Sequence, residues 1–90
     1  MAILHMETET AHSAQSAIVA AQQDFNSRLQ TMKASVEELR PNWSGNSATQ
    51  FFQEFDQWTS AMSSFLDELN KMGANLQSEI NEWEETAKTA

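Results

Sequence analysis

The sequence contains no cysteine, which excludes disulfides, thiol catalysis and cysteine-ligated metal sites. It has only two glycines and one proline in 90 residues, so few positions can form a tight turn. No apolar run approaches the roughly 18–20 residues that cross a bilayer, and we predict no membrane insertion. Basic residues are also scarce. Five Lys and Arg against thirteen Asp and Glu give a net charge of −8, which disfavours nucleic acid and anionic membrane surfaces as partners.

The N-terminal six residues lack the basic region, sustained apolar core and small-residue cleavage site of a secretory signal peptide. His5-Met6 resembles a cloning-site remnant, so residues 1–5 are interpreted as a candidate added leader, with Met6 as the alternative natural start. We expect residues 1–9 to form a flexible N-terminus and residues 88–90 a flexible tail.

The polar residues form no recognisable catalytic or metal-binding motif. His5 and His12 lie near the N-terminus and do not have the spacing of paired metal ligands. Adjacent acids such as Glu37-Glu38 diverge by about 100° around a helix and cannot converge on one substrate atom. No serine lies in a nucleophile elbow, and there is no glycine-rich phosphate loop. We therefore predict a protein that is not an enzyme and needs no metal or cofactor.

The first half of the chain has the apolar periodicity of an amphipathic helix. Its apolar residues recur at steps of three or four, so they line one face, with alanines in the first half and larger side chains in the second. Pro41 lacks an amide hydrogen and disfavours helical geometry in the residue before it, so the helix should end near Leu39 or Arg40. The predicted apolar stripe comprises Ala11, Ala14, Ile18, Ala21, Phe25, Leu29, Met32, Val36 and Leu39.

A second helix is predicted over about residues 47–87, where Ser47 and Gln50 fit a capping box. Phe52 and Leu66 widen its apolar stripe beyond a two-stranded seam, which indicates burial against more than one helix. The predicted core of the hairpin and its dimer is Ile18, Phe25, Leu29, Phe51, Phe55, Trp58, Met62, Phe65, Leu69 and Leu76.

These features predict an all-α fold, an antiparallel two-helix hairpin over residues 10–87 that dimerises into a four-helix bundle. A short connection between long helices makes antiparallel neighbours the default. A single hairpin of this size has too little interior to bury two full apolar faces. Gly73, beside the second stripe, has two open interpretations: a tolerated mid-helix glycine, or a point where a partner backbone approaches closely.

The turn signals are concentrated in residues 40–47, around Trp43-Ser44-Gly45. Gly45 would supply a backbone conformation that a side chain disfavours, or room for a neighbouring chain, while the Trp43 indole covers the apolar end of the hairpin. An acidic chain without cysteine, with a Trp-x-Gly turn midway between two long amphipathic helices, resembles the WXG family. These are small early-secreted-antigen-like proteins exported by type VII secretion systems.

The resemblance implies that the turn is part of an export signal, with Trp43 and Gly45 as recognition residues. It also implies that the motor ATPase of the secretion system reads this signal. The protein would then be secreted without a cleavable signal peptide, from a folded dimer in the cytoplasm.

The tail departs from the family patterns. Many members carry a Tyr followed four residues later by Asp or Glu, which in the dimer lies near the turn of the other chain; this sequence has no tyrosine, and Trp83 is followed at that spacing by Ala87. A second family pattern spaces a hydrophobic residue, an acid and two more hydrophobic residues. Ile80, Glu84 and Ala87 match its first three positions, and the sequence ends before the fourth. The candidate tail signal, Ile80, Trp83 and Glu84, is therefore incomplete or supplied by a partner.

Two pairings and a rival function stay open. The chain either forms a homodimer, or pairs with a related WXG-family chain that carries the full signal; the homodimer is favoured because one chain has both a small-residue helix and an aromatic-rich helix. The rival is an intracellular helical adaptor, or chaperone-like partner of a larger protein, whose second helix docks that protein without export. The missing tyrosine favours the adaptor, and the whole-chain architecture favours secretion.

Overall fold

Two long helices joined by a short turn make up the protein. The structure, a computed structural model, describes the backbone of residues 5–89 and the side chains of residues 5–87. Helix α1 spans Thr8–Leu39, a 3-10 turn spans Arg40–Asn42, and helix α2 spans Asn46–Thr89. No strand occurs among the described residues, and neither helix there is long and apolar enough to span a membrane.

The two helices run antiparallel and contact each other along their length. Near the turn, Arg40 reaches Asp56, and towards the other end Ile18 lies against Gly73. Contacts that pair earlier residues of α1 with later residues of α2 define a hairpin. The predicted all-helical hairpin is therefore confirmed for the single chain.

The end of α1 follows from Pro41. The helix ends at Leu39, and Pro41 occupies the first turn of the 3-10 segment, where its missing amide hydrogen costs no helical hydrogen bond. Asn42 Nδ2 then donates to the carbonyl oxygen of Glu38 at 2.9 Å and satisfies one of the acceptors that a helix end leaves open. At its other end α1 begins at Thr8, two residues before the predicted start of the hairpin.

The predicted capping box at the start of α2 is wrong. The helix begins at Asn46, so Ser47 lies inside its first turn and cannot act as the N-cap. The carbonyl of Gly45 begins the helix instead, accepting hydrogen bonds from the Thr49 amide at 3.0 Å and from Thr49 Oγ1 at 3.2 Å. The turn glycine, rather than a side-chain cap, sets where α2 starts.

The seam between the helices follows a heptad pattern along α2. Its most buried positions recur every seven residues, as in helices that pack side by side at a shallow angle. Thr59 interrupts the apolar series, but its Oγ1 donates to the carbonyl of Asp56 at 3.0 Å and is not left unpaired. These α2 positions are Phe52, Thr59, Leu66, Gly73 and Ile80; Ala48 on α2 and Leu29 on α1 are also buried.

The wide apolar stripes are divided between the seam and the surface. On α2, Phe52 and Leu66 are buried. The neighbouring row of Phe51, Trp58 and Phe65 is exposed, although the sequence predicts it to lie at the centre of the stripe. On α1, Leu29 is buried, whereas a neighbouring row of apolar residues that recur every seven positions from Phe25 is exposed. One partner helix can cover only part of so broad a stripe. We refer to the exposed rows together as the apolar face: Phe25, Met32, Leu39, Phe51, Trp58, Phe65 and Met72.

The other predicted core residues lie between these extremes. Each is partly buried and partly open to solvent. They are Ile18, Phe55, Met62, Leu69 and Leu76.

The hairpin is long and thin. Its extents are 67 × 23 × 15 Å and its radius of gyration is 20.3 Å, against about 12 Å for a compact domain of this length. Its accessible surface is 6989 Å², whereas a compact monomer of 10.1 kDa exposes about 5,300 Å². The single chain therefore exposes considerably more surface than a compact domain of the same mass.

Candidate recognition and assembly surfaces

The conformation at Gly45 explains the glycine in the turn. Its φ is +114°, the one positive value among the described residues, and side chains other than hydrogen strongly disfavour that region. No other heavy atom lies within 4 Å of the position that a Cβ would occupy. Within the hairpin, Gly45 is therefore required by backbone geometry and not by lack of space.

Trp43 packs on the second turn of α2 and remains partly open to solvent. Its ring centroid lies 5.6 Å from that of Phe51 in a tilted arrangement and 5.7 Å from that of Phe52 in an edge-to-face one, both favourable aromatic geometries. Stacked contacts continue from Phe51 to Phe55 and from Phe55 to Trp58. Because 37% of Trp43 stays exposed, the indole covers the end of the hairpin and is also accessible to a partner.

Arg40 ties the end of α1 to α2 beside this aromatic cluster. Its Nε donates to Glu37 Oε1 at 2.8 Å and its Nη2 to Asp56 Oδ1 at 2.5 Å. The guanidinium carbon lies 4.7 Å from the centre of the Phe52 ring, in cation–π range. Hydrogen bonds to Glu37 and then Asp56 raise the pKa of Arg40 above its ordinary value. This group could not be predicted from the sequence, because the contact between Arg40 and Asp56 depends on the register of the hairpin.

An apolar groove opens on the apolar face. It has a volume of about 410 Å³ and runs between the middle parts of α1 and α2. Arg28 is the one charged residue in its lining, and its Nε donates to Asp24 Oδ2 at 2.9 Å on the same helix. The surface is thus suited to an apolar partner. Its lining consists of Phe25, Arg28, Leu29, Met32, Trp58, Met62, Phe65 and Leu66.

The candidate tail residues differ sharply in exposure. Ile80 is 0% exposed, so its side chain belongs to the hairpin interior in this conformation. Trp83 and Glu84 are half-buried, and Glu84 Oε1 lies 2.5 Å from Nε2 of His12. The sequence indicates no role for His12 near the N-terminus, but this residue lies in α1 and its side chain contacts α2. Aligning the two predicted helices antiparallel about the central turn would have placed His12 opposite Glu84.

The turn and the tail lie at opposite ends of one chain. From the start of α2 to Trp83 the helix rises by about 56 Å at 1.5 Å per residue. The hairpin therefore does not bring Trp43 and Gly45 near Trp83 and Glu84. Among the described residues, no cluster of three or more His, Cys, Asp or Glu side chains could hold a metal ion.

The two glycines make a matched pair for a stability test. Gly45→Ala is expected to lower the free energy of unfolding by about 1–3 kcal/mol, because alanine strains the positive φ. Gly73→Ala is expected to raise it by up to about 1 kcal/mol through better helix propensity. A Cβ at Gly73 would lie 3.4 Å from Ile18 Cγ2 and 3.7 Å from Val19 Cγ2, which is ordinary contact.

Denaturant unfolding of both variants at one protein concentration measures this pair. Equal concentration matters because association would also contribute to stability. A destabilised Gly73→Ala would mean that the α1 side chains cannot accommodate the methyl group, and an unchanged Gly45→Ala would remove the backbone explanation for the turn glycine.

Comparison with protein families gives a match that extends across both helices and the turn. The WXG100 family model, described as "Proteins of 100 residues with WXG", matches residues 4–89. No curated protein and no solved structure matches the chain.

Proposed function

Because the chain belongs to the WXG100 family of small helical proteins exported by type VII secretion systems, we propose that it is a substrate or component of such a system. In this role it is not an enzyme and needs no cofactor. It acts through its surfaces, as a folded dimer that the secretion machinery recognises. The match over residues 4–89, with Trp43-Ser44-Gly45 in the turn between the helices, is the observation that carries the proposal.

The apolar face supports dimerisation. Its rows have heptad spacing on both helices, the pattern that a second pair of helices can cover. The chain exposes about 1,700 Å² more surface than a compact monomer of the same mass. A standard interface buries about 800 Å² per partner, so this additional surface is large enough for a dimer interface. Since each chain has the same face, we favour a homodimer that forms a four-helix bundle, with a related WXG-family chain as the alternative partner.

The dimer would assemble the recognition surface from two chains. In an antiparallel pair, the turn of one hairpin lies beside the tail of the other, which compensates for their separation within one chain. Trp43 and Gly45 then form one half of the surface, and Trp83 and Glu84 the other. Ile80 acts as the internal anchor of the tail. A rigid bundle presents such a surface at lower entropic cost than a flexible tail would. By family resemblance, the protein that recognises this surface is the motor ATPase of the secretion system.

Secretion assays test the proposal directly. Culture supernatants from cells with and without the secretion ATPase are compared, and we expect the protein in the supernatant only when the ATPase is present. Trp43→Ala should reduce export while helicity and dimerisation are largely kept. Loss of folding in this variant would instead make Trp43 principally structural.

The alternative is an intracellular adaptor whose apolar face docks a larger protein. The exposure of Trp58 and Phe65 on that face is the observation in its favour. Stable protein inside the cells, absent from both supernatants, would support the adaptor and contradict export.

A further inference from the structure

Arg40 has contacts that converge on the surface used by Trp43. The residue lies directly after α1, three residues before Trp43, and its guanidinium contacts residues from both helices. It donates in two directions, to Glu37 on α1 and to Asp56 on α2. A planar guanidinium with several fixed donors can hold two carboxylates at once, which a lysine ammonium on a flexible chain does less well.

The ring of Phe52 connects this ionic group to Trp43. Arg40 lies over the ring at 4.7 Å, and the Trp43 indole meets the same ring edge-to-face at 5.7 Å. Phe52 itself is buried, so it forms a fixed platform. Asp56 lies one helical turn after Phe52, so the hydrogen bond from Arg40 holds the guanidinium over that platform.

We propose that Arg40 is a positioning residue that fixes the orientation in which Trp43 is presented to the secretion machinery. This inference rests on the proposed role of the turn in export. Arg40 acts through Phe52 and the α1–α2 connection, without direct contact with the secretion machinery. Removing it leaves Trp43 attached to the hairpin but able to adopt several orientations, so the partner must order the indole when it binds.

Fluorine NMR of protein labelled with fluorotryptophan tests this on the complete chain. The three tryptophans give three signals, and Trp43→Phe identifies the one from Trp43. In Arg40→Ala we expect the Trp43 signal to shift and change in width, while those of Trp58 and Trp83 stay in place. Arg40→Lys should restore the signal only in part, because it cannot reproduce the two-directional hydrogen bonding and the planar contact with Phe52.

Lys71→Ala is the matched control. It removes the same charge from an exposed side chain of α2 that lies outside the turn and outside the groove lining. We expect it to leave the Trp43 signal unchanged. If Arg40→Ala unfolds the protein, so that all three signals move towards a common position, Asp56→Asn provides the second variant. It weakens only the contact to α2 and should shift the Trp43 signal alone.

Export of the same variants completes the test. We expect Arg40→Ala to be exported as poorly as Trp43→Ala, and Lys71→Ala as well as the unaltered protein. An unmoved Trp43 signal, or normal export of Arg40→Ala when Trp43→Ala is blocked, would overturn the positioning role. Normal export of both Trp43→Ala and Arg40→Ala, with the signal shifted, would instead refute the role of the turn in export, and this inference with it.

Discussion

Trp58→Glu is expected to convert the proposed dimer into monomers. Trp58 is 42% exposed in the single hairpin and lines the apolar groove, so glutamate there has access to water only while the chain is alone. In the assembled bundle its carboxylate would be buried without a partner, at a cost of about 3–5 kcal/mol. That cost corresponds to a weakening of the dimer by roughly two to four orders of magnitude. Sedimentation velocity over a range of concentrations, together with circular dichroism for helicity, measures the change.

Ser60→Glu is the matched control for this variant. It adds the same charge two residues away, where the helix has turned by about 200°, and Ser60 is exposed. We expect its dimerisation to match that of the unaltered protein. Phe65→Glu, at a groove residue that is 50% exposed, should reproduce the effect of Trp58→Glu. If both groove variants remain dimers of normal affinity, the groove is not the interface.

Light scattering on the unaltered chain decides which dimer forms. A mass of two chains supports the homodimer. A folded monomer, or an unfolded chain that folds only when a related protein is added, would exclude the homodimer and favour the heterodimer.

Ile80→Ala is expected to lower the free energy of unfolding by about 2–5 kcal/mol, the range for removing a large aliphatic side chain from a packed interior. Ile80 is the largest fully buried side chain of the described residues, so this truncation should leave a cavity in the seam. Denaturant unfolding at matched protein concentration measures the loss. Export should fall in parallel with folding, because Ile80 supports the tail from within.

Ile80→Val and Glu84→Gln separate structure from recognition. Ile80→Val keeps most of the buried volume and should cost only about 0.5–1.5 kcal/mol, with export retained. Glu84 is half-buried and accessible, so Glu84→Gln should affect export more than folding. If Ile80→Ala instead lost less than about 1 kcal/mol, the end of α2 would have to be open in solution rather than packed.

The helices and the hairpin could be predicted because their signals are local. Pro41 acts on its own backbone and on the residue before it, so the end of α1 at Leu39 could be placed from sequence. The apolar repeat gives both helices their type without reference to any other part of the chain. The start of α2 was harder, since Ser47 and Gly45 both offer plausible beginnings and the backbone conformation at Gly45 decides between them.

The candidate site was predicted only in part. Trp43 and Gly45 stand out because turn residues are rare in this sequence. The cluster of Arg40 with Asp56 does not, since the two residues are 16 positions apart and ordinary as surface charges. The contact between His12 and Glu84 spans 72 positions and likewise requires the register of the hairpin.

The amino-acid order alone specifies two amphipathic helices, the position of the break between them, and stripes too wide for one partner helix. Those properties depend on residue spacing and on backbone chemistry within a few positions. The division of each stripe into buried and exposed rows depends instead on how the two helices pack. The rotation of α2 against α1 puts Phe52, Leu66 and Ile80 in the seam and leaves Phe51, Trp58 and Phe65 outside. Helical periodicity fixes which residues share a face, but side-chain packing between the two helices fixes which edge of that face is buried.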